Sequence, residues 1–133
     1  EHSHPAMIEL AYRAKNHDKI VLITDSLEAA GCPDGEYSIA GLPVYVKNGR
    51  AVNSEGALAG STLDLFTAVK NFMRFTGATL EETIPMATAN PATLIGIDGK
   101  CGFIKTGCRA DFITVDDKEN ITLSDVYIGG EKI

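Results

Sequence analysis

Hydrophobic and polar residues alternate with different periods along this chain, and each period predicts a different element. Residues 5–16 (PAMIELAYRAKN) place Met7, Ile8, Ala11, Tyr12 and Ala14 on one stripe, the spacing of an amphipathic helix. Pro5 suits its first turn, where a missing N–H costs nothing. Residues 20–24 do not alternate: Ile20, Val21, Leu22 and Ile23 run unbroken into Thr24 and Asp25. Such a run predicts a strand buried on both faces, the habit of a parallel strand covered by helices or lining a barrel. Helix, turn and buried strand make one step of an α/β architecture.

Beyond Asp25, SLEAAGCPDGEYS reads as a loop. Val44-Tyr45-Val46 then faces Ala51-Val52 across Asn48-Gly49, a strong hairpin signal, so a β-hairpin is expected within 37–53. Ser61 is the expected N-cap of the next helix with Asp64 as its N3 partner. Leu63, Phe66, Val69, Lys70 and Met73 carry the helical spacing, and Gly77 stops it. Thr79 and Glu82 form a second capping box, for a helix running to about Ala89 with Pro85 inside it; Asn90-Pro91 recaps the chain for a short turn ending at Gly96. From Gly99 the segments CGFIKTG, ADFITVDD and ITLSDVYIGGEKI read as short strands between Gly and Asp turns. The expected organisation is therefore α/β material over 1–98 and a small β tail over 99–133.

Composition narrows the partners. The formal net charge is −6 over 133 residues, and the isoelectric point is near 4.9. That balance argues against nucleic acid or an anionic membrane surface, while leaving room for a phosphate in a local pocket. No apolar stretch approaches the roughly 20 residues that span a bilayer, and no signal-peptide pattern opens the chain. Cys32, Cys101 and Cys108 are odd in number with no close CxxC pair, which fits reduced thiols in a cytoplasmic protein; Cys101 and Cys108 could bridge across a hairpin, but composition gives no reason to expect it. Starting at Glu1 and entering a helix at once, the chain reads as a piece of something longer.

Three stretches could carry chemistry. Asp25, at the expected carboxyl end of a strand, is either a cap on the following turn or a general base or metal ligand. His2 and His4 share one side of an extended segment, so a shared metal is feasible. However, Pro5 starts a helix immediately after them and only one strand separates them from Asp25, which favours a substrate contact by His2 alone. His17 reads as a solvated helix-end residue. Leu58-Ala59-Gly60-Ser61 is either a plain loop into a capped helix or a place where backbone amides approach an oxygen-rich group.

Read in order, HSHP, IVLITDS, AGLPVYVKNGRAV, GALAGSTLDL, ATANPATLIG and CGFIKTGCRADFITVD resemble the N-acetylglucosamine-6-phosphate deacetylase branch of the amidohydrolase superfamily. The resemblance implies the carboxyl-terminal part of a (β/α)8 metallohydrolase barrel plus strands of a small β-sandwich. It implies hydrolysis of the acetamide of N-acetylglucosamine 6-phosphate to acetate and glucosamine 6-phosphate, with Asp25 catalytic and His2, Leu58, Ala59, Gly60 and Ser61 contacting substrate. It further implies a divalent metal, zinc or iron, that polarises the acetyl carbonyl and activates a water. The family's ligands, a glutamate and two histidines, lie on earlier strands and have no replacement in these 133 residues, so no metal ligand is expected in this chain. The whole protein is expected to be the enzyme, a cytoplasmic homodimer, and this chain an inactive part. Other readings are an amidohydrolase of cyclic amides, or a non-catalytic half-barrel binding module. Strand 20–24, without barrel neighbours, should pair with another copy, find substitute partners or expose an apolar patch.

Overall fold

The computed structural model describes residues 3–116 and 120–133. The chain separates into two compact units, one of residues 1–22 with 69–133, the other of residues 23–68.

In the first unit, α1 (Pro5–Ala14) begins as the sequence predicts, with Pro5 in its first turn and His4 as N-cap. The His4 Nδ1 accepts from the Ala6 N–H at 3.2 Å. A 3-10 turn (His17–Lys19) follows. α2 (Leu65–Thr76) crosses between the units and ends at Gly77, whose φ of 73° supplies the left-handed stop. α3 (Leu80–Ala87) opens on a complete capping box: the Glu82 N–H donates to Thr79 Oγ1 at 3.3 Å, and the Thr79 N–H donates to Glu82 Oε2 at 2.8 Å. Pro85 lies inside α3, which ends at Ala87, and α4 (Ala89–Leu94) follows. Met86 is wholly buried and forms a core with Phe72 and Ala78, against which Ile8, Tyr12, Ile20 and Leu22 pack.

Asn90 departs from expectation. Rather than capping α4, its Nδ2 donates to the carbonyls of His17 and Ile20, at 2.8 and 2.7 Å. Position decides this: Asn90 falls within the helix, not at its cap, so its amide is free to reach the neighbouring turn.

The unit's tail is an antiparallel sheet of β5 (Phe112–Asp116), β6 (Thr122–Ile128) and β7 (Glu131–Lys132). Phe112 and Tyr127 stand opposite one another and stack with ring centroids 4.5 Å apart. The stretch CGFIKTG is not a strand. Gly102 (φ 85°) and Gly107 (φ 94°) turn the backbone where a strand needs extended dihedrals.

The second unit is a four-stranded antiparallel sheet in chain order: β1 (Gly35–Ile39), β2 (Leu42–Lys47), β3 (Arg50–Val52) and β4 (Leu58–Gly60). β2 meets β3 across Asn48 (φ 50°) and Gly49 (φ 69°), and Val46 faces Ala51 in register. Val44 and Val46 point inward while Tyr45 and Lys47 point out, the period of two that builds a one-sided core. That core is Ala29, Val44, Val46 and Ala51, with Leu27, Tyr37, Ile39 and Ala59 packed on it. β1 starts in the stretch that the sequence reads as loop and runs into the expected hairpin region, whereas β4 lies wholly in a stretch read as loop; pairing on β2 and β3 makes them strands.

Residues 20–25 form no β-ladder. The apolar run predicts a doubly covered strand, yet Ile23 is 71% exposed. Among the described residues no strand runs alongside 20–25, and a strand exists only through the neighbour that takes its backbone bonds. Leu22 does donate its N–H to the Met86 carbonyl at 2.8 Å.

Candidate active site

The backbone around Asp25 turns sharply. Asp25 adopts φ 52°, in the left-handed region that carbon-branched residues avoid and aspartate tolerates. Its side chain is exposed, and its carboxylate meets no hydrogen-bond or ion-pair partner among the described residues. The cap role, one of the two readings open to it, is therefore unfilled. All four lone-pair regions of the carboxylate are available to a ligand or water.

What fixes this turn is the next residue. Ser26 makes an isolated parallel bridge with Ser61, and the Leu27 N–H donates to the Ser61 carbonyl at 2.8 Å. The Ser26 hydroxyl donates to the carbonyl of Leu63. Asp25 is thereby held one residue from the point where the chain meets the end of Leu58–Ser61.

That second stretch is not the predicted loop. Leu58–Gly60 is β4, at the edge of the sheet, with Leu58 opposite Val52, Gly60 opposite Ala51 and a bulge between. Ser61 is not the N-cap of α2; its Oγ accepts from the Leu63 N–H at 3.0 Å. Asp64 takes the cap, accepting from the Thr67 N–H at 2.8 Å, because the helix begins at Leu65 and leaves Ser61 too far upstream. Gly60 has a specific reason to be glycine. Its φ is 147°, and a Cβ there would lie 2.6 Å from Leu27 Cγ.

His2 lies outside the described residues. His4 spends its Nδ1 on the cap of α1, which removes that nitrogen from metal binding. His17 is not simply solvated: it stacks on Tyr12 with centroids 4.2 Å apart. Burial, and then the neighbouring Glu82 carboxylate, push the Tyr12 hydroxyl above the ordinary phenol value. Among the described residues no three His, Cys, Asp or Glu side chains gather to hold a metal ion. A depression of about 390 Å³ is lined by residues of 103–112 and includes none of Asp25 or Leu58–Ser61. Among the described residues no helix is long and apolar enough to cross a membrane.

Sequence reasoning missed Ser26 as the residue that ties the two stretches together. The only signal for it was a hydroxyl directly after Asp25.

The model of the amidohydrolase family matches residues 5–133. An N-acetylgalactosamine-6-phosphate deacetylase of Escherichia coli O157:H7 is 39% identical over 130 residues, covering 98% of this chain and 34% of that protein. An N-acetylglucosamine-6-phosphate deacetylase of Lysinibacillus sphaericus is 41% identical over 116 residues, covering 87% of this chain and 30% of that protein. The crystal structure of N-acetylglucosamine-6-phosphate deacetylase from Thermotoga maritima aligns with a TM-score of 0.83 at 38% identity, over 98% of this chain and 35% of that one. The chain spans about a third of the length of each.

Proposed function

The chain belongs to the amidohydrolase family, and from that premise we propose that it is the carboxyl-terminal part of an enzyme that deacetylates N-acetylglucosamine 6-phosphate. In this reading residues 1–98 supply the last part of a (β/α)8 barrel, interrupted by the hairpin of 37–53. Residues 99–133 supply strands of a small β-sandwich. Residues 20–24 become a barrel strand once earlier strands lie beside them, which accounts for four consecutive apolar residues with no ladder of their own.

The observation that carries the proposal is the Ser26–Ser61 bridge, which holds an unpartnered Asp25 carboxylate next to Leu58–Ser61. Asp25 is assigned the proton transfers. Its carboxylate takes the proton of the water that attacks the acetyl carbon, then delivers it to the nitrogen as the C–N bond breaks. An amine leaves poorly unless protonated, so one carboxylate serves both steps. Leu58, Ala59, Gly60 and Ser61 contact the sugar, with His2 beside its phosphate ester. The divalent ion, zinc or iron, belongs to the part of the protein upstream of this chain. A cytoplasmic location accompanies the assignment, because a phosphorylated sugar does not cross a bilayer unaided, as does homodimeric assembly of the whole protein.

Joining this chain to the amino-terminal portion of the Thermotoga maritima enzyme tests the proposal. The chimera should release acetate from N-acetylglucosamine 6-phosphate, and Asp25→Asn should lower kcat by about 10²–10⁴-fold. An Asp25→Asn chimera as active as its parent overturns the assignment. The chain alone, with added zinc or iron, should release no acetate; robust deacetylation by it alone overturns the view that it is a part.

A second reading, N-acetylgalactosamine 6-phosphate as substrate, is favoured by the 39% identity to a deacetylase of that name. The ratio of kcat/KM for the two epimers decides between them.

A further inference from the structure

The turn that joins α4 to the β5–β7 sheet carries two cysteines in the symmetrical order Cys-Gly-Phe-Ile-Lys-Thr-Gly-Cys, from 101 to 108. The Arg109 N–H donates to the Lys100 carbonyl at 2.8 Å, closing the loop with Cys101 next to one end of that bond and Cys108 next to the other. That single bond brings the two ends of the segment together, the closure that a disulfide between its terminal cysteines needs.

The side chains converge as well. Cys101 Sγ lies 3.8 Å from the Ile97 carbonyl, and Cys108 Sγ lies 3.8 Å from the Asp98 carbonyl. Ile97 and Asp98 open a helical turn in which the N–H groups of Lys100 and Cys101 both donate to Ile97. Carbonyls of successive residues in such a turn point the same way, so the two sulfurs approach one end of it together. Gly102 fixes the start of the loop: a Cβ there would meet Ala92 Cβ at 2.6 Å and the Thr88 carbonyl at 2.8 Å. Both thiols are half-buried and reduced, and Cys108 lines the depression shared with Phe103, Ile104 and Lys105. A small disulfide therefore has a way in.

We propose that Cys101 and Cys108 form a reversible intramolecular disulfide, a redox clasp that locks loop 102–107 against α4. The co-reactant is a low-molecular-weight disulfide of the glutathione class. One protein thiolate attacks a sulfur of the small disulfide, forming a mixed disulfide and expelling the first small thiol. The second protein thiolate then attacks the mixed bond at the protein sulfur and expels the other. Two protein thiols are oxidised, one small disulfide is reduced to two small thiols, and both protons pass to the leaving sulfurs. Cys32 takes no part; it lies elsewhere in the chain, with its Sγ 3.9 Å from the Glu28 carbonyl.

The test equilibrates the full chain in mixtures of oxidised and reduced glutathione, quenches with acid, alkylates free thiols and digests with trypsin. Cleavage after Lys100, Lys105 and Arg109 puts the two cysteines on separate peptides, CGFIK and TGCR. The expected product is these two peptides linked, lighter by two hydrogens than their sum, with Cys32 alkylated. The native chain should form it with an equilibrium constant at least about tenfold above that of the chain in urea, because the fold has already closed the loop. Cys32→Ser should leave that constant unchanged. Linkage through Cys32, glutathione on both thiols in place of the internal bond, or equal constants in native buffer and urea overturns the proposal.

Discussion

Gly60 and Leu27 occupy space that a single added methyl group would contest. With φ at 147° and a Cβ placed 2.6 Å from the Leu27 side chain, Gly60→Ala forces Leu27 off the core of Ala29, Val44, Val46 and Ala51. The expected loss is about 1–3 kcal/mol, read from urea unfolding of the variant against the parent. Asn90 is the second position where one side chain holds two pieces of backbone. Asn90→Ala removes both donors to His17 and Ile20, and should cost about 1–2 kcal/mol in the same measurement. Asn90 was legible in the sequence only as a polar residue before proline, since its role depends on a turn 70 or more positions away. Asp25 stands out in the sequence as the polar end of an unbroken apolar run. Its left-handed turn and the Ser26–Ser61 bridge do not, for both arise from a contact 35 residues apart by number.

Among the elements, those set by local signals appear where the sequence puts them: α1 after Pro5, the β2–β3 turn at Asn48-Gly49, and the α3 cap at Thr79. β1 and β4 carry no such signals and depend on a neighbouring strand to exist. The α3 cap also brings a pH dependence. The backbone N–H of Thr79, set against partial burial, holds the Glu82 carboxyl below its ordinary value of 4.5, with Tyr12 and His17 adding to the effect. A carboxyl depressed in the folded chain contributes stability that is whole above its unfolded pKa, and loses it as pH falls through the lower folded value. Helicity followed by circular dichroism should therefore decline below about pH 4.5, and Glu82→Gln should flatten that decline. An unchanged acid profile in Glu82→Gln assigns the titration elsewhere. In the sheet of 112–132, Asp125 is likewise held low by Lys132, whose Nζ lies 2.5 Å away.

For the whole molecule, the notable property is how much apolar surface is left uncovered. Ile23 at 71% and Ile104 at 92% exposure are joined by Leu94, Ile95 and Leu42. The chain spans about a third of the Lysinibacillus sphaericus and Thermotoga maritima proteins, and exposed apolar side chains of this size are candidates for contact with another molecule. Sedimentation velocity should show association that grows with concentration, and Ile23→Lys should reduce it. A monomer that stays monomeric and binds no hydrophobic dye contradicts this. The pattern at 20–24 describes a covered strand, and among the described residues no strand runs beside it.

The edge of the four-stranded sheet has a consequence of its own. β4 is three residues long, kinked by a bulge, and tied on its outer side at Ser61 alone. A rim so brief gives a stray strand almost nothing to zip onto along β4. Strand-to-strand association through this rim should therefore be slight.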